Sequence, residues 1–308
     1  MNNPNINNNA LNQLDIFGLI GALWNKKFFL ITTTSIITLA SILIALILPN
    51  IYTSSSVLKL SEDKTNVSSS PLGSIGGLAS VAGVDMSSGE VNRIDELFAR
   101  LGSRDFLKHI LTFEDVLVNL TAAKGFDSET GKILYDEDIY KNGKWIGKSK
   151  KFKSSIPTYL ETQEYYNEYV DFHENKLTGL IIISVNHYSP QFAADFLRLI
   201  ITEANNVSRE VEIERSEESI NYLSSYSNEV VNKDVKLAIN QLMFAQMKDL
   251  MIANVKEDYV LEIIDEPFYP EKRSSPKRTQ FVITGFLLGL MLSILIILIR
   301  KLYVLKSN

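Results

Sequence analysis

The chain has 308 residues, enough for one or two domains. Its 31 Lys and Arg residues are outnumbered by 36 Asp and Glu residues, so the formal charge is −5. This balance argues against a general nucleic-acid-binding protein, whose surface needs an excess of basic residues. The absence of cysteine excludes a disulfide framework, thiolate metal ligands and a cysteine nucleophile.

Two long uncharged segments predict membrane-spanning helices. Residues 28–48 form an apolar run of 21 residues, and residues 281–299 form one of 19. As helices each is roughly 30 Å long, the thickness of a bilayer core. A cleaved signal peptide is the alternative for the first run. An uncleaved anchor is favoured because the run exceeds the usual ~7–15 apolar residues and no Ala-x-Ala-like site follows it.

Two spans place both chain ends on one side of a membrane and predict five segments. These are a cytoplasmic N-terminal segment (1–27), a first transmembrane helix (28–48), a periplasmic domain (49–280), a second transmembrane helix (281–299) and a cytoplasmic tail (300–308). The two end segments carry a net charge of +4, which leaves −9 for the middle. Positive ends favour a cytoplasmic location, and long loops are exported largely regardless of charge. We therefore expect a multi-pass protein of the bacterial inner membrane.

The residues before the first span have two distinct compositions. Residues 1–13 are rich in Asn and are predicted to lack ordered structure. Residues 14–24 have the apolar spacing of a short amphipathic helix, although an extension of the membrane helix is equally compatible. Trp24, Lys26 and Lys27 are typical of an anchor at the membrane interface.

The first part of the middle segment mixes predicted strands, helices and a loop. We predict strands at 52–60 and 180–185, a helical region at 90–120, a hairpin at 127–153 and a polar helix at 158–173. Asn142 and Gly143 supply the type I′ turn of the hairpin. The glycine-rich residues 71–89 predict a flexible loop, with packing at a subunit contact as the functional alternative.

A nearly unbroken helical pattern follows. Ser189 and Pro190 predict a helix start, and residues 191–256 contain neither Pro nor Gly. One helix of that length is on the order of 100 Å long, so one or two breaks are expected. One apolar residue recurs every seven positions: Leu223, Val230, Leu237, Phe244 and Met251. Since the second heptad column is mostly polar, a two-column coiled coil is excluded. The stripe predicts packing on a neighbouring helix, either in the same chain or in another subunit.

Motifs for catalysis are weak or absent. Residues 143–149 resemble a phosphate-binding loop but are one residue short and lie in a predicted hairpin. Asp136, Glu137 and Asp138 resemble a metal-binding carboxylate group, but no nucleotide-binding strand-helix-strand pattern surrounds them, so a solvated acidic turn is expected. His109, His173 and His187 are scattered along the chain. We predict no catalytic residue, no metal site and no cofactor.

The second predicted span contains two glycines four residues apart, Gly285 and Gly289. Small residues at this spacing let transmembrane helices approach closely, although glycines are common in membrane helices. A packing role and a chance occurrence are equally compatible with this motif. The last strand is predicted at 259–265, and a proline-rich stretch leads from it to the span.

Two stretches together resemble the Wzz-type chain-length determinants, also called polysaccharide co-polymerases. One is residues 14–27 (LDIFGLIGALWNKK), with an Asp-x-x-x-Leu-like lead into Trp24 and basic residues. The other is residues 267–278 (PFYPEKRSSPKR), which ends in Ser-Pro-Lys-Arg. The strand after the first span, residues 78–83 (LASVAG), residues 103–107 (SRDFL) and the Ser189-Pro190 helix start are also similar, so the resemblance extends over nearly the whole chain.

The resemblance implies an α+β fold in which two transmembrane helices flank a large periplasmic domain with a membrane-proximal α/β base and long extended helices. It implies a non-enzymatic homo-oligomer that sets the length of O-antigen or a related surface polysaccharide. The expected partners are a Wzy-type polymerase, an undecaprenyl-linked glycan and membrane lipid, with no nucleic acid. Some relatives add a cytoplasmic tyrosine kinase, and the nine residues after the second span resemble the kinase-free type.

The proline-rich stretch has a physical role of its own. Pro267, Pro270 and Pro276 lack an N–H and fix φ, so they hold the chain extended and prevent pairing as a central strand. We expect this stretch to couple the periplasmic domain rigidly to the second span, with Lys277 and Arg278 at the lipid headgroups.

Three alternative functions remain at this point. The chain is compatible with a membrane adaptor that activates a separate tyrosine kinase in capsule or exopolysaccharide export, although Tyr303 is the only tyrosine of the tail. An extracytoplasmic sensor would need a signalling domain, which the sequence lacks. A glycan-processing enzyme would need the acidic turn at Asp136 and Asp138 to be catalytic.

Overall fold

The computed structural model describes residue 24 and residues 26–61, 89–146 and 152–307. The predictions for residues 1–13, for most of 14–24 and 71–89, and for the end of 143–149 lie outside these residues. The chain forms two compact units, one made of residues 1–50 and 274–308 and the other of residues 51–273.

The first unit is a pair of long apolar helices, α1 (Lys27–Ile47) and α8 (Arg278–Ser307). Both are long and apolar enough to cross a membrane, α8 over Arg278–Arg300. Helix α1 begins and ends one residue before the predicted span. Helix α8 begins at Arg278, three residues before its predicted span. The Lys277 carbonyl accepts the N–H groups of Gln280 and Phe281 in its first turn.

The second unit is built on a four-stranded antiparallel sheet in the order β6-β7-β1-β8. Its strands are β1 (Tyr52–Leu60), β6 (Val170–Asn175), β7 (Leu180–His187) and β8 (Leu261–Asp265). Strand β1 pairs with β7 from Tyr52 to Leu58 and with β8 from Val57 to Leu60. Because β1 and β8 are the first and last strands of this unit, their pairing brings both of its chain ends to one end of the sheet.

One face of the sheet is covered by helices. Alternate residues of β7 are buried, and the next ones along the strand are partly exposed, as expected for a sheet with a single packed face. The covering elements are α2 (Gly89–Leu101), α3 (Arg104–Ile110), α4 (Val116–Ala122), α5 (Tyr159–Tyr169) and the start of α6 (Pro190–Glu229). Their fully buried side chains include Leu107, Leu120, Tyr166, Leu197 and Ile200. The mixed helix and sheet content confirms the predicted α+β class.

Polar residues at the helix starts explain where several helices begin. The Ser103 hydroxyl accepts the Phe106 N–H, and the Ser189 hydroxyl accepts the Phe192 N–H, with Pro190 in the first turn. Thr158 and Glu161 form a reciprocal capping box at the start of α5. Each cap satisfies N–H groups that the first helical turn leaves unpaired.

The long helical pattern forms a helical hairpin. Helix α6 has 40 residues and ends at Glu229, and α7 (Lys233–Val255) returns along it after a connection of three residues. The expected break therefore lies at 230–232, where Asn232 caps α7 by accepting the Asp234 N–H. Helix α6 is roughly 60 Å long and α7 roughly 35 Å.

Three predicted elements are divided differently in the structure. The region 90–120 is helical but interrupted twice, at 102–103 and 111–115. The hairpin 127–153 is two hairpins: β2 (Ala123–Asp127) with β3 (Lys132–Tyr135), and β4 (Tyr140–Lys141) with β5 (Lys144–Trp145). The turn between β4 and β5 has positive φ at Asn142 and Gly143, as a type I′ turn requires. The polar helix 158–173 ends at Tyr169, because residues 170–175 pair with β7 as β6.

His187 is buried in this unit and is held in one tautomer. Its Nδ1 accepts the Ser189 N–H, so the proton lies on Nε2, which donates to the Asn119 carbonyl. Burial lowers the pKa of His187 to about 4, although its two backbone hydrogen bonds act in the opposite direction. The imidazole is therefore neutral in the folded protein at pH 7.

We predict that the second unit loses stability as the pH falls from about 6.5 to about 4. In this window the unfolded chain binds a proton at His187 and the folded chain does not, so acid favours unfolding by on the order of 2–3 kcal/mol. Thermal unfolding followed by circular dichroism between pH 7.5 and 4 measures this effect. His187→Gln is expected to flatten the dependence, whereas His173→Gln, at an exposed position of β6, keeps it. An equal pH dependence in all three proteins would contradict the assignment.

Candidate functional site

The described part of the chain contains no group of three His, Asp or Glu side chains that could hold a metal ion. The acidic turn is held together by its own contacts. The Asp136 carboxylate accepts the Asp138 N–H, and Glu137 pairs with Lys141 at 2.7 Å. The hydrogen bond and charge of Lys141 lower the pKa of Glu137. These contacts are those of the solvated turn expected from the sequence.

The two glycines of the second span lie against α1. A Cβ atom at Gly285 would lie 2.4 Å from the Ser41 Cβ, and one at Gly289 would lie 3.2 Å from the Thr34 Cα and carbonyl oxygen. The Ser41 hydroxyl donates to the Phe281 carbonyl at 2.6 Å. The absence of side chains at both positions therefore lets the two helix backbones approach, and a polar contact between the helices forms beside them.

Trp24, Lys26 and Lys27 lie at the start of α1 and are exposed. The Trp24 side chain is 72% exposed, and the Lys27 ammonium lies 5.7 Å from the centre of its ring. An aromatic ring beside a lysine at the end of an apolar helix is the arrangement found at membrane interfaces. Their role as an anchor stays a prediction.

The first two prolines of the proline-rich stretch are buried in the second unit. The Pro267 carbonyl accepts from the Arg198 guanidinium at 3.4 Å, and the next carbonyl, that of Phe268, accepts from the Ser54 hydroxyl at 2.8 Å. The chain after β8 is thus fixed to both α6 and β1. Proline suits these positions because no strand partner requires its N–H.

A cluster on α6 holds the same stretch from one side. The Tyr269 hydroxyl donates to the Asp195 carboxylate at 2.8 Å, and the Arg198 guanidinium lies 5.9 Å from the Tyr269 ring. Arg198 also pairs with Asp195 at 3.1 Å. These partners were missed in the sequence, because the only signal there is the spacing of Asp195 and Arg198 on one helix face.

The last five residues of the stretch, 274–278, belong to the first unit. Pro276 is buried and Lys277 is exposed. The Arg278 guanidinium donates to the Asn50 side-chain oxygen at 3.3 Å, which joins the segment after α1 to the first residue of α8. A location of Lys277 and Arg278 at lipid headgroups stays a prediction.

The heptad stripe is divided between elements. Leu223 is on α6, Val230 lies in the connection, and Leu237, Phe244 and Met251 are on α7. The last three are 61%, 74% and 68% exposed, whereas Ile239 and Ala253, on the face packed against α6, are 5% and 0% exposed. Since Leu237 and Ile239 are about 200° apart around the helix, the stripe on α7 faces away from α6. This favours the second of the two predicted uses, packing on another chain.

Comparison with known proteins connects this architecture to a family. Residues 12–110 match the family model described as Wzz, chain length determinant protein. The resemblance to the Wzz chain-length determinants is confirmed. The matched segment contains α1, β1, α2 and α3, and so the capped SRDFL sequence, in which Phe106 and Leu107 are buried. The match covers about a third of the chain, and it includes the first of the two helices that are long and apolar enough to cross a membrane.

No curated protein matches the chain at a significant level. Two solved structures are similar to it at 14% identity. One, described as a full-length bacterial polysaccharide co-polymerase, has a TM-score of 0.38 and covers 96% of this chain and 99% of its own. The other, a fragment of WzzB, the polysaccharide co-polymerase from Salmonella Typhimurium, has a TM-score of 0.28 and covers 73% of this chain and 100% of its own. At these TM-scores the two structures carry no argument, and the similarity to the Wzz chain-length determinants rests on the family model.

We predict that Gly285→Ala loosens the pair of transmembrane helices. The added methyl group would overlap Ser41, and separating the helices costs on the order of 1–3 kcal/mol. Thermal unfolding of the detergent-purified protein is expected to show a lower midpoint. Thr284→Leu, which adds more volume on the exposed side of the same turn, is the control and should leave the midpoint unchanged. Equal midpoints for Gly285→Ala and the parent would exclude close packing at this glycine.

We predict that the α7 stripe holds copies of the chain together. The double variant Leu237→Ser and Phe244→Ser removes two exposed apolar side chains and should shift the native mass in detergent toward the monomer. Leu242→Ser is the control, because Leu242 is exposed but lies about 140° around the helix from Leu237. A parent protein that is already monomeric, or a double variant of unchanged mass, would disprove this role.

Proposed function

We propose that this protein is a non-catalytic regulator of surface polysaccharide chain length, acting as an inner-membrane homo-oligomer together with a Wzy-type polymerase. O-antigen is the expected class of polymer. The observation that carries the proposal is the match of residues 12–110 to the chain length determinant family, within a chain that has two apolar helices near its ends.

The residues support a structural role for the protein. The second unit contains long helices, an exposed apolar stripe on α7 and a proline-rich stretch that is fixed to α6 and β1. None of these features performs a chemical step. A protein of this kind acts on polymer length by organising the polymerase and its lipid-linked glycan. Polymerisation itself remains with the polymerase.

The proposed orientation places both chain ends in the cytoplasm and residues 49–280 in the periplasm. It is supported by the charge of +4 on the two end segments and −9 on the middle. The tyrosines and apolar stripe of the second unit would then be on the side of the membrane where the polymer is elongated.

We predict that loss of the gene abolishes the preferred polymer length. A gel of surface polysaccharide from the parent strain should show a cluster of bands around one length, and the deletion strain should show a broad distribution of shorter chains. A plasmid that supplies the protein should restore the cluster. The amount of lipid-linked repeat unit should stay the same, because synthesis of the repeat does not depend on a length regulator.

An unchanged band pattern in the deletion strain would contradict the proposal. The kinase-adaptor function would then be tested by isolating the tagged protein from membranes and probing for a tyrosine kinase. Loss of all polymer, including short chains, would also contradict it, because such a result indicates a step needed for synthesis.

A further inference from the structure

A cavity of about 370 Å³ lies in the second unit beside α5. This volume falls in the range of sites for small molecules, about 300–1,000 Å³. Two kinds of side chain dominate its lining, tyrosines and glutamates: Tyr165, Tyr169, Tyr188, Glu161, Glu164 and Glu168. Five of these six residues come from α5 at spacings of three and four, which place them on one helix face.

The three tyrosines that line the cavity, Tyr165, Tyr169 and Tyr188, are held in place by their neighbours. The Tyr165 and Tyr169 rings lie 6.4 Å apart, and Tyr169 lies 6.4 Å from Tyr188 in an edge-to-face arrangement. Behind them, the His187 ring is 5.5 Å from that of Tyr169 and is itself fixed by two hydrogen bonds. Tyr169 is 8% exposed. A ring held in this way offers a binding surface that loses little conformational freedom on binding.

Of the three glutamates that line the cavity, Glu161 has a structural role, whereas Glu164 and Glu168 are available to bind a ligand. Glu161 accepts hydrogen bonds from the N–H groups of Thr158 and Lys153, so its carboxylate is already used. In the part of the chain that the structure describes, Glu164 and Glu168 have neither an ion-pair nor a hydrogen-bond partner. Burial, followed by the charges of Glu168 and Glu164, raises the pKa of Tyr165, so both carboxylates act on the hydroxyl of this tyrosine.

The tyrosine rings and the two available carboxylates together indicate which class of ligand fits the cavity. Tyrosine rings pack against the C–H faces of pyranose sugars, and carboxylates accept hydrogen bonds from several sugar hydroxyls. The described lining contains three carboxylates and no Lys or Arg, so it favours a neutral sugar over an anionic one. A metal ion is disfavoured because no three carboxylates or imidazoles in the described residues can share one ion.

We propose that this cavity binds one or two neutral sugar units of the growing polysaccharide, with Tyr165 as the stacking surface and Glu164 and Glu168 as hydrogen-bond acceptors. The proposal rests on the proposed function, since it identifies the glycan as a direct ligand of the regulator. It assigns to the second unit a contact with the polymer itself, in addition to any contact with the polymerase.

Saturation-transfer difference NMR tests this directly. The probes are neutral oligosaccharides released from the surface polysaccharide of the same cells, with glucuronic acid as the anionic comparison and Ca²⁺ as a competitor. The full-length protein is studied in lauryldimethylamine oxide, because maltoside detergents carry sugar rings of their own. Transfer to the neutral oligosaccharides is expected, with little transfer to glucuronic acid.

Variants locate the binding site. Tyr165→Ala is expected to weaken binding by about tenfold or more, and Glu168→Gln by a smaller factor. Tyr159→Ala is the matched control, since Tyr159 is a tyrosine of the same helix that is 46% exposed and lies outside the cavity. Because Tyr165 also packs against the core, Glu168→Gln, at an exposed position, keeps the test valid if Tyr165→Ala does not fold.

Three results would overturn the proposal: no transfer to any neutral probe, equal transfer in Glu168→Gln and the parent, or loss of transfer on adding Ca²⁺, which would identify a cation site. The gene-deletion gel separates this proposal from the proposed function. If the deletion broadens the length distribution but no probe binds, the cavity assignment is wrong and length control stands. If a probe binds but the deletion leaves the length distribution unchanged, the proposed function is wrong and the cavity assignment stands.

Discussion

The antiparallel pairing of β1 with β8 is the constraint on which the second unit depends. Leu60 lies opposite Leu261 and Val57 opposite Asp265, so the chain enters and leaves at the same end of the sheet. The sheet therefore holds the first and last strands of this unit side by side. The buried hydroxyls of Ser54 and Ser56 extend the contact, since they donate to the Phe268 and Asp265 carbonyls. Serines here replace the apolar residues that a buried strand face would otherwise carry.

The two ends of α6 have different surroundings. Its first sixteen residues contribute Phe196, Leu197 and Ile200 to the core, whereas past Asn205 only two of its residues, Ser216 and Ser227, are fully buried. Both are small residues, and Leu237, Phe244 and Met251 of α7 lie on the face away from α6. An exposed apolar face on a helix with one neighbour is typical of an interaction surface, and we propose that a further copy of the chain packs on it.

The sequence predicted elements whose signals are local. The apolar runs predicted both spans, Ser189 and Pro190 predicted the start of α6, and the Thr, Ser and Val content of residues 52–60 predicted β1 with the bounds that the structure has. It did not predict that residues 170–175 leave the helix, because their strand conformation depends on pairing with β7. Nor did it predict the tyrosine cavity or the Asp195, Arg198 and Tyr269 cluster, which join residues far apart in the chain.

The central claim is that assembly through the second unit sets polymer length without a chemical step. The most direct test compares the modal length of surface polysaccharide with the oligomeric state of the same variants, expressed at equal levels in membranes of the deletion strain. The account predicts that Leu237→Ser with Phe244→Ser loses both the assembly and the preferred length, while Leu242→Ser retains both. A normal modal length from a protein that is monomeric in those membranes would contradict it.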